Sequence, residues 1–325
     1  MKINSIFDIH KNTNFEKITL EIFKFQAKNC TVYNEFLNLL KVDIKSIKSV
    51  YQIPFLPIQF FKSRQIISSK KPTQRIFLSS GTTGNTQSRH HITDLTIYEK
   101  SFTKGFENFY GNIEDYTVLA LLPSYLERDG SSLIYMVNDF IEKSNKPKSG
   151  FYLNNLDELS KILIELDKNN EKVLLIGVSF ALLNLVEMFN FKLKNTIIME
   201  TGGMKGRRKE LIREELHQVL CNGFGVEKIH SEYGMTELLS QGYSKGNGIF
   251  ECPPWMKVLT RDTEDALTIL PEGKSGGINV IDLANINSCS FIATQDLGKT
   301  YKNGTFEVLG RFDDSDIRGC NLMVL

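Results

Sequence analysis

The stretch Phe77-Leu-Ser-Ser-Gly-Thr-Thr-Gly-Asn-Thr-Gln-Ser-Arg-His-His91 holds residue types suited to cradling an anion. An apolar run ends at Ser79 and Ser80, and Gly81, Thr82, Thr83 and Gly84 follow without a bulky side chain. Glycines let backbone amides approach a phosphate closely, and the hydroxyls add donors. The same letters equally fit a tight Ser/Thr/Gly turn after a strand. They are not a Walker loop, because G-x-x-x-x-G-K-[ST] is absent here. Arg89 offers positive charge nearby, with His90 and His91 beside it.

A second group is Ile229-His-Ser-Glu-Tyr-Gly-Met-Thr-Glu237. A strand running into Glu-Tyr-Gly puts Tyr233, Gly234, Thr236 and Glu237 at its carboxyl end, where ligands gather in open α/β sheets. Read alone, it is also an ordinary Tyr-Gly turn followed by a Thr cap. Two acidic stretches come later and read as loops near turns: Phe291–Gly298, which carries Asp296, and Gly310–Cys320, which carries Arg311 and Asp313. Between these groups, Lys205, Arg207 and Arg208 follow Gly202 and Gly203. A helix beginning near Arg207 would aim its first amides at an anion; a solvated basic turn is the plain alternative. Cys320 follows Arg318 and Gly319, and a neighbouring guanidinium favours the nucleophilic thiolate. Its plain alternative is a small buried apolar residue.

The elements that must position these groups follow from periodicity. Ile18, Ile22, Phe25, Val32, Phe36, Leu39 and Leu40 recur near helical spacing, so residues 1–60 read as a helical segment. Pro54 and Pro57 stop that pattern, and the main sheet is entered just after them. Short apolar runs at Arg75–Leu78, Tyr116–Leu122, Lys172–Ile176 and Asn195–Met199 read as strands buried on both faces. Amphipathic stretches such as Ser179–Asn190 and Arg207–Cys221 separate several of them. This alternation predicts an α/β core over 61–245, with a mostly parallel sheet flanked by helices. Shorter runs at Ala266–Leu270, Gly277–Leu283 and Gly304–Leu309 predict a smaller β-rich portion over 246–325.

Bulk properties narrow the setting. Lys plus Arg (39) nearly balance Asp plus Glu (38), so no electrostatic footprint points to nucleic acid or an acidic membrane. The opening MKINSIFDIHKNTNF has no apolar core of a secretory signal. The most apolar stretch, Val173–Leu183, is far short of the about 20 residues a bilayer span needs. Five scattered cysteines (Cys30, Cys221, Cys252, Cys289, Cys320) suit a reducing compartment. A cytoplasmic protein with no membrane span is expected.

Taken in order, S-S-G-T-T-G, Y-G-x-T-E, the Thr294-Gln295-Asp296 stretch and G-R-x-D-D resemble the core motifs of the adenylate-forming superfamily of acyl-CoA ligases, luciferases and peptide-synthetase adenylation domains. Leu121–Ser132, Thr201–Arg208, Ser88-Arg-His90 and the ending Ile317-Arg-Gly-Cys-Asn-Leu narrow the resemblance to LuxE-type acyl-protein synthetases, over roughly residues 60–325. The resemblance implies a fold like the N-terminal domain of those enzymes, with ATP and Mg²⁺ as cofactors and a fatty acid adenylated and passed to an enzyme cysteine. It also implies a downstream acyl reductase or acyl-transferase partner. By the same resemblance, Ser79, Ser80, Gly81, Thr82, Thr83 and Gly84 wrap the β- and γ-phosphates. Tyr233 and Gly234 lie by the adenine, Thr236 nears the α-phosphate, and Glu237 holds Mg²⁺. Asp296 takes the ribose hydroxyls, Arg311 reaches ribose or phosphate, Asp313 sits at the hinge, and Cys320 accepts the acyl group. Tyr125, Glu127 and Arg128 line the acyl-pocket mouth.

Three departures stand out. The lysine that usually ends the phosphate loop is replaced by Asn85-Thr86-Gln87-Ser88, leaving Arg89 to supply charge. The third motif has Gln295 where glycine is usual. Only 15 residues follow Gly310, so a chain without the mobile lysine-bearing domain of most ligases is expected, as in LuxE-type proteins. Two other readings stay open: an acyl- or aryl-CoA (or carrier-protein) ligase, and a nucleotide- or acyl-binding scaffold without turnover.

Overall fold

In the computed structural model, which describes residues 6–9, 15–80, 87–123, 130–202 and 211–312, the N-terminal periodicity becomes two helices. These are α1 (Phe15–Asn29) and α2 (Thr31–Leu39), broken at Cys30. The proline segment does more than stop them. It contains β1 (Leu56–Pro57), which pairs parallel with a later strand, and α3 (Phe60–Ser63) follows. Pro57 is tolerated because β1 pairs on one side alone, so its missing N–H breaks no ladder.

Residues 70–253 form one of two compact units. It opens with β2 (Arg75–Leu78) and β3 (Arg89–Ile92), an antiparallel pair forming its own small sheet. This corrects the expectation of a strand buried on both faces at Arg75–Leu78: Ile76 and Leu78 are exposed, and Phe77 alone is buried. Then come α4 (Leu95–Tyr110), β4 (Thr117–Leu121), α5 (Ser132–Ser144), β5 (Gly150–Phe151), α6 (Leu156–Lys168), β6 (Val173–Gly177), α7 (Ser179–Met188), β7 (Thr196–Glu200), α8 (Arg213–Phe224) and β8 (His230–Tyr233). Strands β5, β4, β6, β7 and β8 lie side by side and parallel. Antiparallel β9 (Gly242–Ser244) and β10 (Ile249–Glu251) extend that sheet past β8. β4 and β6 are wholly buried, as their unbroken apolar runs require of strands covered on both faces. Ser131 caps α5 and Asn155 caps α6 by accepting backbone amides, and α8 ends on Gly225 at φ +69°, the left-handed stop that glycine permits.

The other unit joins residues 1–69 to 254–325. Its strands β11 (Met256–Arg261), β12 (Ser275–Asp282), β13 (Phe291–Thr300) and β14 (Phe306–Arg311) form an antiparallel meander. Ala266–Leu270, expected as a strand, contributes a single bridge from Ile269 to Arg261. Phe291–Gly298, expected as an acidic loop, is instead the body of the long strand β13. Gln26, fully buried on α1, ties the unit's two chain segments together. Its Nε2 donates to the carbonyls of Asn285 (2.9 Å) and Ile286 (3.0 Å), and its Oε1 accepts from Ser290 N (2.9 Å). Phe23, Tyr33 and Phe55 pack their rings around Phe291 to complete this core. Among the described residues, no helix is long and apolar enough to cross a membrane.

Candidate functional site

The hairpin β2–β3 frames the Ser/Thr/Gly stretch and closes its base. Ser79 N donates to Ser88 O (3.1 Å), Ser88 N donates to Ser79 Oγ (2.9 Å), and Gln87 Nε2 donates to Ser79 O (2.9 Å). Ser79 is half-buried and Ser80 exposed, while Gly81, Thr82, Thr83 and Gly84 lie outside the described residues. Arg89 projects from β3 into solvent. Its neighbour His90 is fully buried, and its Nδ1 lies 2.8 Å from the carbonyl oxygen of Thr236. Burial pushes the His90 pKa down to about 4, so the ring is neutral at pH 7. One hydrogen bond thus joins the β2–β3 hairpin to the second motif, 146 residues away in sequence.

The second motif sits at the carboxyl end of β8, as expected of a strand running into Glu-Tyr-Gly. Tyr233 ends the strand and is buried, with its ring edge-on to Phe250 at 6.0 Å. Gly234 is exposed, and a Cβ there would meet Glu232 Oε1, so a larger residue would have to displace the Glu232 side chain. Thr236 is half-buried and Glu237 is buried, at 5% exposure.

The carboxyl ends of β7 and β8 also bring together two acids that motif reading missed. Glu200, 4% exposed, accepts from Gly202 N (2.7 Å) and Ser179 Oγ (3.2 Å), with His217 Nε2 at 3.7 Å. Burial alone would raise its pKa; the nearby His217 and Ser231 side chains, the charge of Arg213 and the Gly202 amide outweigh that and lower it. Glu232, half-buried one strand away, goes the other way. Burial first, and then the charge of Glu200, raise its pKa to about 8. Glu200 closes β7 and Glu232 sits one residue before the end of β8, the adjacent parallel strand.

The third and fourth motifs meet within the other unit. Asp296 on β13 faces Arg311 on β14 across the ladder, and Arg311 Nε lies 3.3 Å from Asp296 Oδ1. Asp296 is buried, at 9% exposure, whereas the Arg311 side chain is mostly in solvent. Asp296 N donates to Thr294 Oγ1 (3.1 Å), which in turn donates to Ile278 O (3.0 Å), so strand pairing holds the carboxylate without the usual glycine.

Residues 131–325, more than half of the chain, match the acyl-protein synthetase family LuxE. The chain belongs to that family. No curated protein matches it. Among solved structures, ATP-bound MatB from Rhodopseudomonas palustris is 17% identical, with a TM-score of 0.55 over 75% of this chain and 49% of that one. A 2-hydroxyisobutyryl-CoA ligase in its postadenylation state, in complex with 2-HIB-AMP, is 10% identical, with a TM-score of 0.67 over 92% of this chain and 67% of that one. These likenesses establish an adenylate-forming ligase fold. The chain spans about half the length of the MatB chains it resembles.

In this LuxE-family chain, the matched region takes in Tyr233, Glu237, Asp296, Arg311, Asp313 and Cys320. Asp313 and Cys320 lie outside the described residues, as do Tyr125, Glu127, Arg128, Lys205, Arg207 and Arg208. The helix expected near Arg207 starts at Arg213. Acidic Glu214 and Glu215 occupy its first turn, where they suit the helix dipole better than the Arg-Arg-Lys run would. Of the other thiols, Cys30 and Cys289 are fully buried, and burial raises the pKa of both. Burial also raises that of half-buried Cys221, while Cys252 is half-buried.

Proposed function

We propose that this protein activates a fatty acid with ATP as its acyl-adenylate, then transfers the acyl group to Cys320. The observation that carries the reading is the His90–Thr236 hydrogen bond, which holds the base of the phosphate-loop hairpin against the Tyr233–Glu237 turn in one unit. In the first step a carboxylate oxygen of the acid attacks the α-phosphorus, and the bond to the β-phosphate breaks, releasing pyrophosphate. Two anions must approach, so catalysis rests on neutralising and aligning charge more than on a base. In the second step the Cys320 thiolate attacks the acyl carbon and AMP leaves.

In this reading Ser79–Gly84 hold the β- and γ-phosphates, and Arg89 supplies the charge that the loop lysine usually provides. Tyr233 and Gly234 receive the adenine, Thr236 the α-phosphate side, and Asp296 with Arg311 the ribose. Asp313 is the hinge. A magnesium ion fits the donor set present. Among the described residues no three His, Cys, Asp or Glu side chains cluster as a protein cage. Mg²⁺ is commonly held by one or two carboxylates plus substrate phosphates, and buried Glu237 offers one carboxylate at the carboxyl end of the sheet. The ion would supply Lewis-acid neutralisation of phosphate oxygens.

The choice of acceptor is supported by the burial of Cys30 and Cys289, which disfavours their thiolates. Free thiols at the described cysteines also suit a cytoplasmic location. The thioester product is the kind of substrate an acyl reductase or acyl-transferase subunit would consume. The test uses radiolabelled fatty acid and ATP with wild type and Cys320→Ser. Hydroxylamine-labile label on the wild-type protein, lost in the variant while pyrophosphate exchange persists, is the expected result. Label that survives Cys320→Ser contradicts the acceptor, and a thioester that forms only with added CoA favours a CoA ligase instead.

A further inference from the structure

Resting on that reading, we infer that His90 is a positioning residue for adenylation: its neutral ring, protonated at Nδ1, holds the Thr236 backbone and thereby fixes the Thr236–Glu237 turn against the phosphate-loop hairpin. A carbonyl oxygen can only accept, so the 2.8 Å contact to Thr236 O places the proton on Nδ1. A neutral ring with that proton leaves Nε2 unprotonated, the reverse of the tautomer that dominates for free histidine in water. The ring is fully buried, at 0% exposure.

The hairpin is a suitable anchor. His90 pairs across it with Phe77, itself fully buried, and Phe77 packs edge-on to Tyr98 and Tyr135 of α4 and α5. Below the loop, the reciprocal Ser79–Ser88 bonds leave little freedom at its base, and Leu78 N donates to Gly130 O (2.7 Å). On the far side, Thr236 and Glu237 lie just past β8, in a turn closed by Leu238 N donating to Met235 O (3.1 Å). His90 joins these two pieces directly. Small displacements of catalytic groups are costly in rate, so loosening this tie should lower turnover more than ATP affinity.

The experiment combines a direct view of the ring with two substitutions. In ¹⁵N-histidine-labelled full-length protein at pH 7.5, long-range ¹⁵N–¹H correlation should show one ring, absent from His90→Asn, as the neutral Nδ1–H tautomer. Asn carries a donor near the Nδ1 position, whereas Gln carries one near Nε2. In acid-dependent pyrophosphate exchange, His90→Asn should keep kcat within about threefold of wild type. His90→Gln should lose about tenfold or more in kcat with KM for ATP changed less, the scale of one buried hydrogen bond. An Nε2–H tautomer overturns the inference, and so do Asn and Gln variants with equal kcat at equal thermal stability. The two readings fail differently. Wild type that shows the Nδ1–H tautomer yet exchanges with no acid sinks the adenylation reading, whereas robust exchange with the wrong tautomer sinks the role of His90 alone.

Discussion

Replacing Glu237 with Gln should lower acid-dependent pyrophosphate exchange by about two to three orders of magnitude in kcat, with a much smaller change in KM for ATP. The side chain keeps its shape and loses its charge, at a position only 5% exposed. A carboxylate that holds a phosphate-bound cation matters most as charge shifts onto the departing pyrophosphate. Its loss therefore falls on the transition state rather than on ground-state binding. Because the substitution is isosteric, the melting temperature should stay within a few degrees, and circular dichroism on the same preparation checks this. Exchange kinetics within about threefold of wild type would remove Glu237 from the machinery.

The second large effect concerns stability and has the opposite sign. Glu232→Gln should stabilise the protein near neutral pH, on the order of 2 kcal/mol at pH 7, or several degrees in melting temperature. In the unfolded chain this carboxyl ionises around 4.5, whereas burial and Glu200 hold it protonated to about 8 in the folded state. Between those values the folded protein keeps a proton that the unfolded chain has released, so wild-type stability falls as pH rises through that window. Below it both states are protonated and the cost vanishes; above about 8 it levels off. A glutamine resembles the protonated acid at every pH. The gain should therefore grow from near zero at pH 4 to a plateau above pH 8. Glu200 contributes the other way: its lowered pKa gives stability that is present at neutral pH and lost on acidification. Thermal melts of the two proteins from pH 4 to 9 measure the difference. A gain independent of pH would mean that Glu232 is not held protonated.

Much of the parallel sheet was legible because β4, β6 and β7 carry short apolar runs, at Val118–Leu121, Val173–Ile176 and Ile197–Met199, typical of strands within a covered sheet. The four residues of β2 look similar, yet hairpin pairing leaves Ile76 and Leu78 in solvent, and a run that short carries no sign of which partner it takes. Asp296 was read as a loop residue because Thr-Gln-Asp lacks apolar alternation. The period-two pattern is present in burial, with Thr294 and Asp296 inward, but polar letters conceal it. Pro57 masked β1 for the opposite reason, since proline is a reliable helix breaker that an edge strand still accepts.

The candidate site divides in the same way. Motif order carries Ser79, Tyr233, Glu237, Asp296 and Arg311, each of which is a local word in the sequence. The tie from His90 to Thr236 and the paired acids Glu200 and Glu232 arise only when distant strands become neighbours. Neither residue type nor spacing announces them. A buried histidine in particular reads as unremarkable until its partner is known.

The most direct measurement follows the α-phosphate. ATP labelled at the α-phosphorus is incubated with the protein, Mg²⁺ and a long-chain fatty acid, and the nucleotide products are separated after an acid quench. The account predicts label in an acyl-AMP, converting to AMP as the protein thiol is acylated, with unlabelled pyrophosphate released alongside. Label appearing instead in ADP, with the γ-phosphate on the acid, would mean that the carboxylate attacks the wrong phosphorus for an adenylating enzyme.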